Sequence, residues 1–392
     1  MWALGAIVRG RVCRALRFVV VVVVVLAAGV AVPLTSSASA QVPHAAVGPP
    51  FVIVPSPNPP GAVGGLSSVS CTSATNCFAV GGALIERWDG TSWAIVPSPN
   101  PTGATYSSLN GVSCTSSTNC FAVGWYYTSG SASHALVERW DGTSWTIIPS
   151  PNAIHGLNSV SCTSTTNCFA VAGGGLIERW NGTSWAIVPS PDPNPPGWGG
   201  SPLYSVSCTS TTSCFAVGSV GHEPGPWDTF VERWNGTTWA IVPSPNPNPA
   251  DGAWNFALNS VSCTSTTSCV AVGNASSMFD NPTPNFGFVE RWNGTSWTTV
   301  SSPNPTTGSV LDGVSCTSAT NCFAIGYVVD LNSGQPTFTL VERWNGARWA
   351  IVRSANPTGA TSSALYGVSC ISTRSCFAVG SSSEGTLIER RK

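Results

Sequence analysis

The residues with the most evident chemistry are cysteines. Seven pairs, each with five residues between its members, recur along the chain: Cys71 and Cys77, Cys114 and Cys120, Cys162 and Cys168, Cys208 and Cys214, Cys263 and Cys269, Cys316 and Cys322, Cys370 and Cys376. An even set at one spacing in an exported chain reads as a disulfide framework, one bond within each pair. A zinc site would need four ligands, and no histidine adjoins any pair. No metal and no cofactor are therefore expected.

The carboxylates divide into two sets. Seven sit in Glu-Arg dipeptides, from Glu86-Arg87 to Glu389-Arg390. Strand alternation would send Glu and Arg to opposite sheet faces, so Glu of one sheet is expected to meet Arg of the next as a ring of ion pairs. Asp89 and Asp141 occupy turns. The other eight acids, among them Asp192, Asp228, Asp251, Asp280, Asp312 and Asp330, are expected in loops of variable length. Aromatic residues fall on the same segments. From these we expect a ligand-binding face built from Trp125, Tyr126, Trp227, Asp228, Trp254, Asp280, Tyr327 and Asp330.

These residues are positioned by a repeat. Seven near-copies of VSCTSxTxCFAVG, a variable stretch and LIERWxGTSWxIVPSPNP follow one another at periods of 43 to 55 residues. Each copy holds four short β-like runs, in the first copy Leu66 to Cys71, Cys77 to Val80, Leu84 to Trp88 and Trp93 to Val96. Asx-Gly between the third and fourth runs predicts a tight hairpin. No window shows sustained helical periodicity. The seventh copy lacks its closing WxIVPSPNP, and that segment stands instead at residues 51–59. Together these features predict an all-β, seven-bladed β-propeller with four antiparallel strands per blade, in which residues 51–59 complete the blade begun by 365–392. The fixed one–two and three–four turns lie on one side of such a ring, and the variable two–three loops and blade links on the other. Variable loops on a rigid frame are where binding is expected.

The first forty residues read as a signal peptide. Arg9, Arg11, Arg14 and Arg17 precede an apolar run from Phe18 to Val32, and Ala38-Ser39-Ala40 is a small-residue cleavage site. Residues 41–50 read as a linker and 51–392 as the propeller. The net charge is -1, only 8% of residues are charged, and Lys392 is the one lysine. Such a chain has no basic footprint for nucleic acid and no polybasic surface for lipid, so neither nucleic acid nor membrane is an expected partner after cleavage. A secreted, extracellular monomer is the expectation.

The run VSCTSATNCFAVGG followed by LIERWDGTSWAIVPSPNP resembles a divergent kelch repeat, of the kind found in the central domain of galactose oxidases. The resemblance rests on glycines ending strand two, as at Gly81-Gly82 and Gly173-Gly174, and on a tryptophan opening strand four. It implies a propeller. The copper chemistry of galactose oxidases would need two histidines and two tyrosines at one metal, and His134, His155 and His222 come from different copies without a matching motif. DGTSW also looks like the Asp-box of sialidase-type propellers, with one spacer residue missing. Three functions follow as alternatives. The first is a non-catalytic binding module for an extracellular glycan or protein. The second is a hydrolase using two loop carboxylates, and the third a purely structural surface protein.

Overall fold

A computed structural model describes residues 50–391 except 59–63, 130–132, 152–154, 194–199, 222–224, 248–253, 278–284, 306–307 and 331–334. The segment expected to be a signal peptide, residues 41–49 of the expected linker, Asp251 and Asp280 lie outside the described residues. Within them the chain forms 28 strands in seven four-stranded antiparallel sheets.

Blade one contains Ser68–Ser73, Asn76–Gly81, Leu84–Trp88 and Trp93–Val96 in that spatial order. The next five blades repeat it in sequence, their first strands being Tyr106–Ser116, Leu157–Ser164, Leu203–Ser210, Trp254–Ser265 and Ser309–Ser318. Blade seven takes three strands from the end of the chain, Ser363–Ser372, Ser375–Ser382 and Gly385–Arg391, and its fourth from Phe51–Ile53. Phe51 pairs with Arg391, Val52 with Arg390 and Ile53 with Glu389. The expected closure is therefore present. Phe51 and Arg391 occupy the slots that tryptophans fill elsewhere, and both turn to Phe323 of blade six. Phe51 meets its ring edge-on at 5.6 Å, and the Arg391 guanidinium lies 4.5 Å from its centroid.

All seven cysteine pairs are bonded, each joining residues directly opposite one another on strands one and two. The hairpin between strands three and four is longer than a two-residue turn. Trp88 pairs with Trp93, leaving Asp89–Ser92 as a four-residue loop. One Asp89 carboxylate oxygen accepts from the Thr91 amide, the Thr91 hydroxyl and the Ser92 amide, which holds its carboxyl down at about 2. Gly90 supplies the positive φ, +107°. The Asx side chain thus builds this loop by replacing backbone turn hydrogen bonds.

The core lies between blades. Five strand-two phenylalanines, Phe78, Phe121, Phe169, Phe215 and Phe377, insert between the paired tryptophans of the following blade. Phe78 lies 5.2 Å from Trp140 and 5.3 Å from Trp145, and Phe377 of blade seven meets Trp88 and Trp93 of blade one at 5.2 Å. These tryptophans are 2–5% exposed, so the turns carry no open ring for repeated sugar binding.

The expected ring of Glu-Arg pairs is replaced by two other contacts. Each of the seven glutamates accepts a hydrogen bond from a serine in the PSPN-type segment leading into its own blade: Ser56 to Glu86, Ser98 to Glu138, Ser150 to Glu178, Ser190 to Glu232, Ser244 to Glu290, Ser302 to Glu342 and Ser354 to Glu389. The arginines lie over aromatic faces across the seam instead, Arg87 over Phe78 and over Trp140 of the next blade, both at 5.5 Å. Alternation does separate the two side chains. The link segment, absent from a strand-only picture, reaches the glutamate first.

Candidate functional site

Strand one is innermost in every blade, so the seven first strands enclose a central pore. Two features of the VSC sequence build its wall. The serine between Val and Cys accepts a hydrogen bond from the cysteine amide of the following blade. This contact recurs at all seven seams at 3.0 Å, including Ser369 to Cys71 across the closure. Two residues before the valine, six of the blades carry a bulge: the pairing register skips from Leu109 to Gly111, Leu157 to Ser159, Leu203 to Ser205, Leu258 to Ser260, Leu311 to Gly313 and Leu365 to Gly367. A bulged residue has no partner on the neighbouring strand and is re-aimed. Here Asn110, Asn158, Tyr204, Asn259, Asp312 and Tyr366 all line the pore, with Ser67 in the same position of blade one.

The cavity they line has a volume of about 230 Å³ and a polar wall without Lys, Arg or His. Asn110 donates through Nδ2 to the Leu157 carbonyl of the next blade, and Asn158 likewise to Leu203. Asn259 Nδ2 lies within bonding distance of the Leu311 carbonyl, Asn274 Oδ1 and Asp312 Oδ1, at 3.0, 3.0 and 3.2 Å. Asp312 is half-buried, and burial pushes its carboxyl up to about 7. Burial, with Asp312 and Tyr366 nearby, pushes Tyr327 up to about 12. The Tyr204 and Tyr366 hydroxyls pair with Ser219 and Ser381 at 3.2 and 3.1 Å.

The residues expected on the binding face are distributed over several blades. Trp125 and Tyr126 belong to strand Asn119–Tyr127 of blade two, and the variable stretch is a longer hairpin there than the sequence suggested: Tyr126 pairs with His134 and Tyr127 with Ser133. Tyr106, Trp125 and Tyr127 form a run of rings with centroids 5.2 and 4.8 Å apart, and Tyr106 is 55% and Tyr127 38% exposed. Tyr126 stacks on His134 at 5.0 Å instead. Trp227 and Asp228 begin strand three of blade four, where Asn246 donates to Asp228 at 2.6 Å and the Trp227 amide donates to Asn255. Trp254 is buried against Phe286 in the blade-five core and is no open platform. Tyr327 lies in strand two of blade six, and Asp330 directly follows that strand. Asp312 sits in a strand-one bulge, not in a blade link. Sequence reading points to a binding face spread over several blades and does not identify the pore ring. Its signal was present as one column that varies (Ser, Asn, Asn, Tyr, Asn, Asp, Tyr) beside the unvarying Val-Ser-Cys.

Among the described residues no cluster of three or more His, Cys, Asp or Glu could hold a metal, and no helix is long and apolar enough to cross a membrane. Seven disulfides fit an oxidising, extracellular environment.

No protein-family model matches the chain, and a search of curated proteins finds no relative. Solved structures do resemble it. A structure described as YCF48 bound to D1 peptide has a TM-score of 0.57 at 13% identity, over 90% of this chain and 97% of that one. The WD40 propeller domain of Doa1 gives 0.57 at 9%, over 85% and 94%. The GH74 xyloglucanase from Xanthomonas campestris gives 0.56 at 15%, over 81% of this chain and 51% of that one. At these identities the likeness shows the fold alone, and this chain is a seven-bladed β-propeller whose structural neighbours include a xyloglucanase and a WD40 domain.

Proposed function

We propose that this protein is a secreted, kelch-like propeller that acts as a non-catalytic binding module for an extracellular glycan or protein. The carrying observation is the run of Tyr106, Trp125 and Tyr127 at the variable-loop edge of blade two, where Tyr106 and Tyr127 are exposed and Trp125 is half-buried between them. Aromatic faces side by side stack on the apolar faces of sugar rings, and their hydroxyls hydrogen-bond at the margin. The surrounding frame, with seven disulfides and a sealed ring, holds this edge rigid and reduces the ordering cost of binding.

The test is a glycan array with the mature protein, followed by Trp125→Ala and Tyr106→Ala. Binding to a defined glycan class that falls at least tenfold in both variants supports the reading. Absence of binding to any glycan or extracellular protein, or binding indifferent to both substitutions, overturns it.

A further inference from the structure

Strand four is the outermost strand of every blade, so its free edge presents main-chain N–H and C=O groups without a neighbouring strand. In five blades the isoleucine that pairs with the strand-three glutamate stands open on this edge. Ile95, Ile147, Ile187, Ile241 and Ile53 are 39–52% exposed. Ile351 holds the same slot in blade six, opposite Glu342, and is 7% exposed. Its neighbour Val352 joins the seam core with Phe51 and Leu365. Ile351 points to the other face of the sheet and needs a different cover.

The sequence of this edge differs too. The outer strand runs into Pro-Ser-Pro in five blades, as at Pro97-Ser98-Pro99, and into Ser301-Ser302-Pro303 in blade five. Blade six alone has neither proline and reads Arg353-Ser354-Ala355. Proline lacks the N–H that an added strand would pair with, and prolines guard exposed edges for that reason. Blade six has kept both donors.

The start of the described chain lies beside the same edge. The Phe51 amide donates to the Arg353 carbonyl at 2.9 Å, so the residues that precede Phe51 enter along blade six. Phe51–Ile53 also has a particular need of a second hold. In the other six blades a hairpin loop ties strand four to strand three, and in blade seven the fourth strand comes from the opposite end of the chain. Between Pro43 and Pro49 stand His44-Ala45-Ala46-Val47-Gly48, free of proline. At about 3.3 Å per residue these five reach about 17 Å, more than the four residues Ala350–Arg353 require. Their small apolar side chains can lie against Ile351.

We propose that residues 43–49 dock along Ala350–Arg353 as a fifth strand of blade six, covering Ile351 and anchoring the strand that closes the ring. The occupant of this edge is the chain's own N-terminal arm, and the pairing is strand addition.

Hydrogen exchange of the protein beginning at Gln41, read residue by residue, tests this. Of the Ile351 and Val352 amides, the one facing outward should exchange at least tenfold more slowly than its counterpart among Ile95 and Val96 of blade one. Deleting residues 43–48 should remove that difference. So should the double substitution Ala46→Pro with Val47→Pro, because alternation turns one of these two adjacent N–H groups toward blade six. Should the deletion fail to fold, the double variant and the comparison of two edges within the unaltered protein decide. Equal exchange at the two edges, or slow exchange at blade six that survives both changes, overturns the proposal. Slow exchange confined to a dimer, with loss of protection in the monomer separated by size, assigns the edge to the arm of a second copy and overturns it as well.

Discussion

The buried glutamates make the stability of this ring fall as pH rises, and Glu138 shows how far. Its side chain exposes no surface, accepts one hydrogen bond from Ser98 at 2.9 Å, and leaves Oε2 without a partner. Burial, opposed by the Ser98 bond, pushes the carboxyl from 4.5 up to about 7. The folded state therefore holds its proton more tightly than the unfolded state does. Below pH 4.5 both states are protonated and no penalty exists. Between 4.5 and 7 the unfolded chain gives up the proton while the folded one keeps it, and stability drops with each step of pH. Above 7 the loss is complete. A shift of that size corresponds to about 3 kcal/mol for this one group. Glu138→Gln removes the titration and can place an amide nitrogen where the orphaned oxygen lies. Guanidinium unfolding of the oxidised protein at pH 5 and pH 8 measures the effect. The parent should be less stable at pH 8, and the variant should lose about 3 kcal/mol less between the two. A parent that gains stability from pH 5 to pH 8, or a variant with an unchanged pH dependence, would refute the reasoning.

Two further outcomes concern the seams. Phe51→Ala empties a fully buried slot against Phe323 and should cost about 3–5 kcal/mol, read as a lowered thermal midpoint; a shift no larger than that of an exposed control such as Ile95→Ala would contradict the closure. Ser369→Ala and Ser161→Ala each strip the acceptor from a cysteine amide at a seam, and each should cost about 1–3 kcal/mol. Equal losses are expected, because the closing seam has the same geometry as an internal one, and a neutral Ser369→Ala would show that the ring is not sealed there.

Much of the architecture was legible because it is written seven times. The cysteine spacing fixed the bonded pairs, and the displaced WxIVPSPNP segment fixed which strand completes blade seven. The Glu-Arg dipeptide misled for a definite reason. Alternation places two side chains on opposite faces, but it does not show that a link serine arrives at the carboxylate before the neighbouring blade's guanidinium. Trp254 was taken for a binding residue because it adjoins a variable stretch, yet strand one of blade five begins at that residue and carries the ring into the core. The pore ring was missed because a bulge is a property of pairing register. Nothing in Leu-Asn-Gly-Val or Leu-Asp-Gly-Val, read alone, announces that one residue will be skipped and turned inward.

The union of Phe51–Ile53 with Gly385–Arg391 also sets a timetable for assembly. Phe51–Ile53 is translated well before its partner Gly385–Arg391, so the ring stays unsealed, with a bare β edge at either flank, until that strand is made. Such edges recruit other chains. Those two flanks have to be kept from their counterparts on neighbouring copies until Gly385–Arg391 is in place.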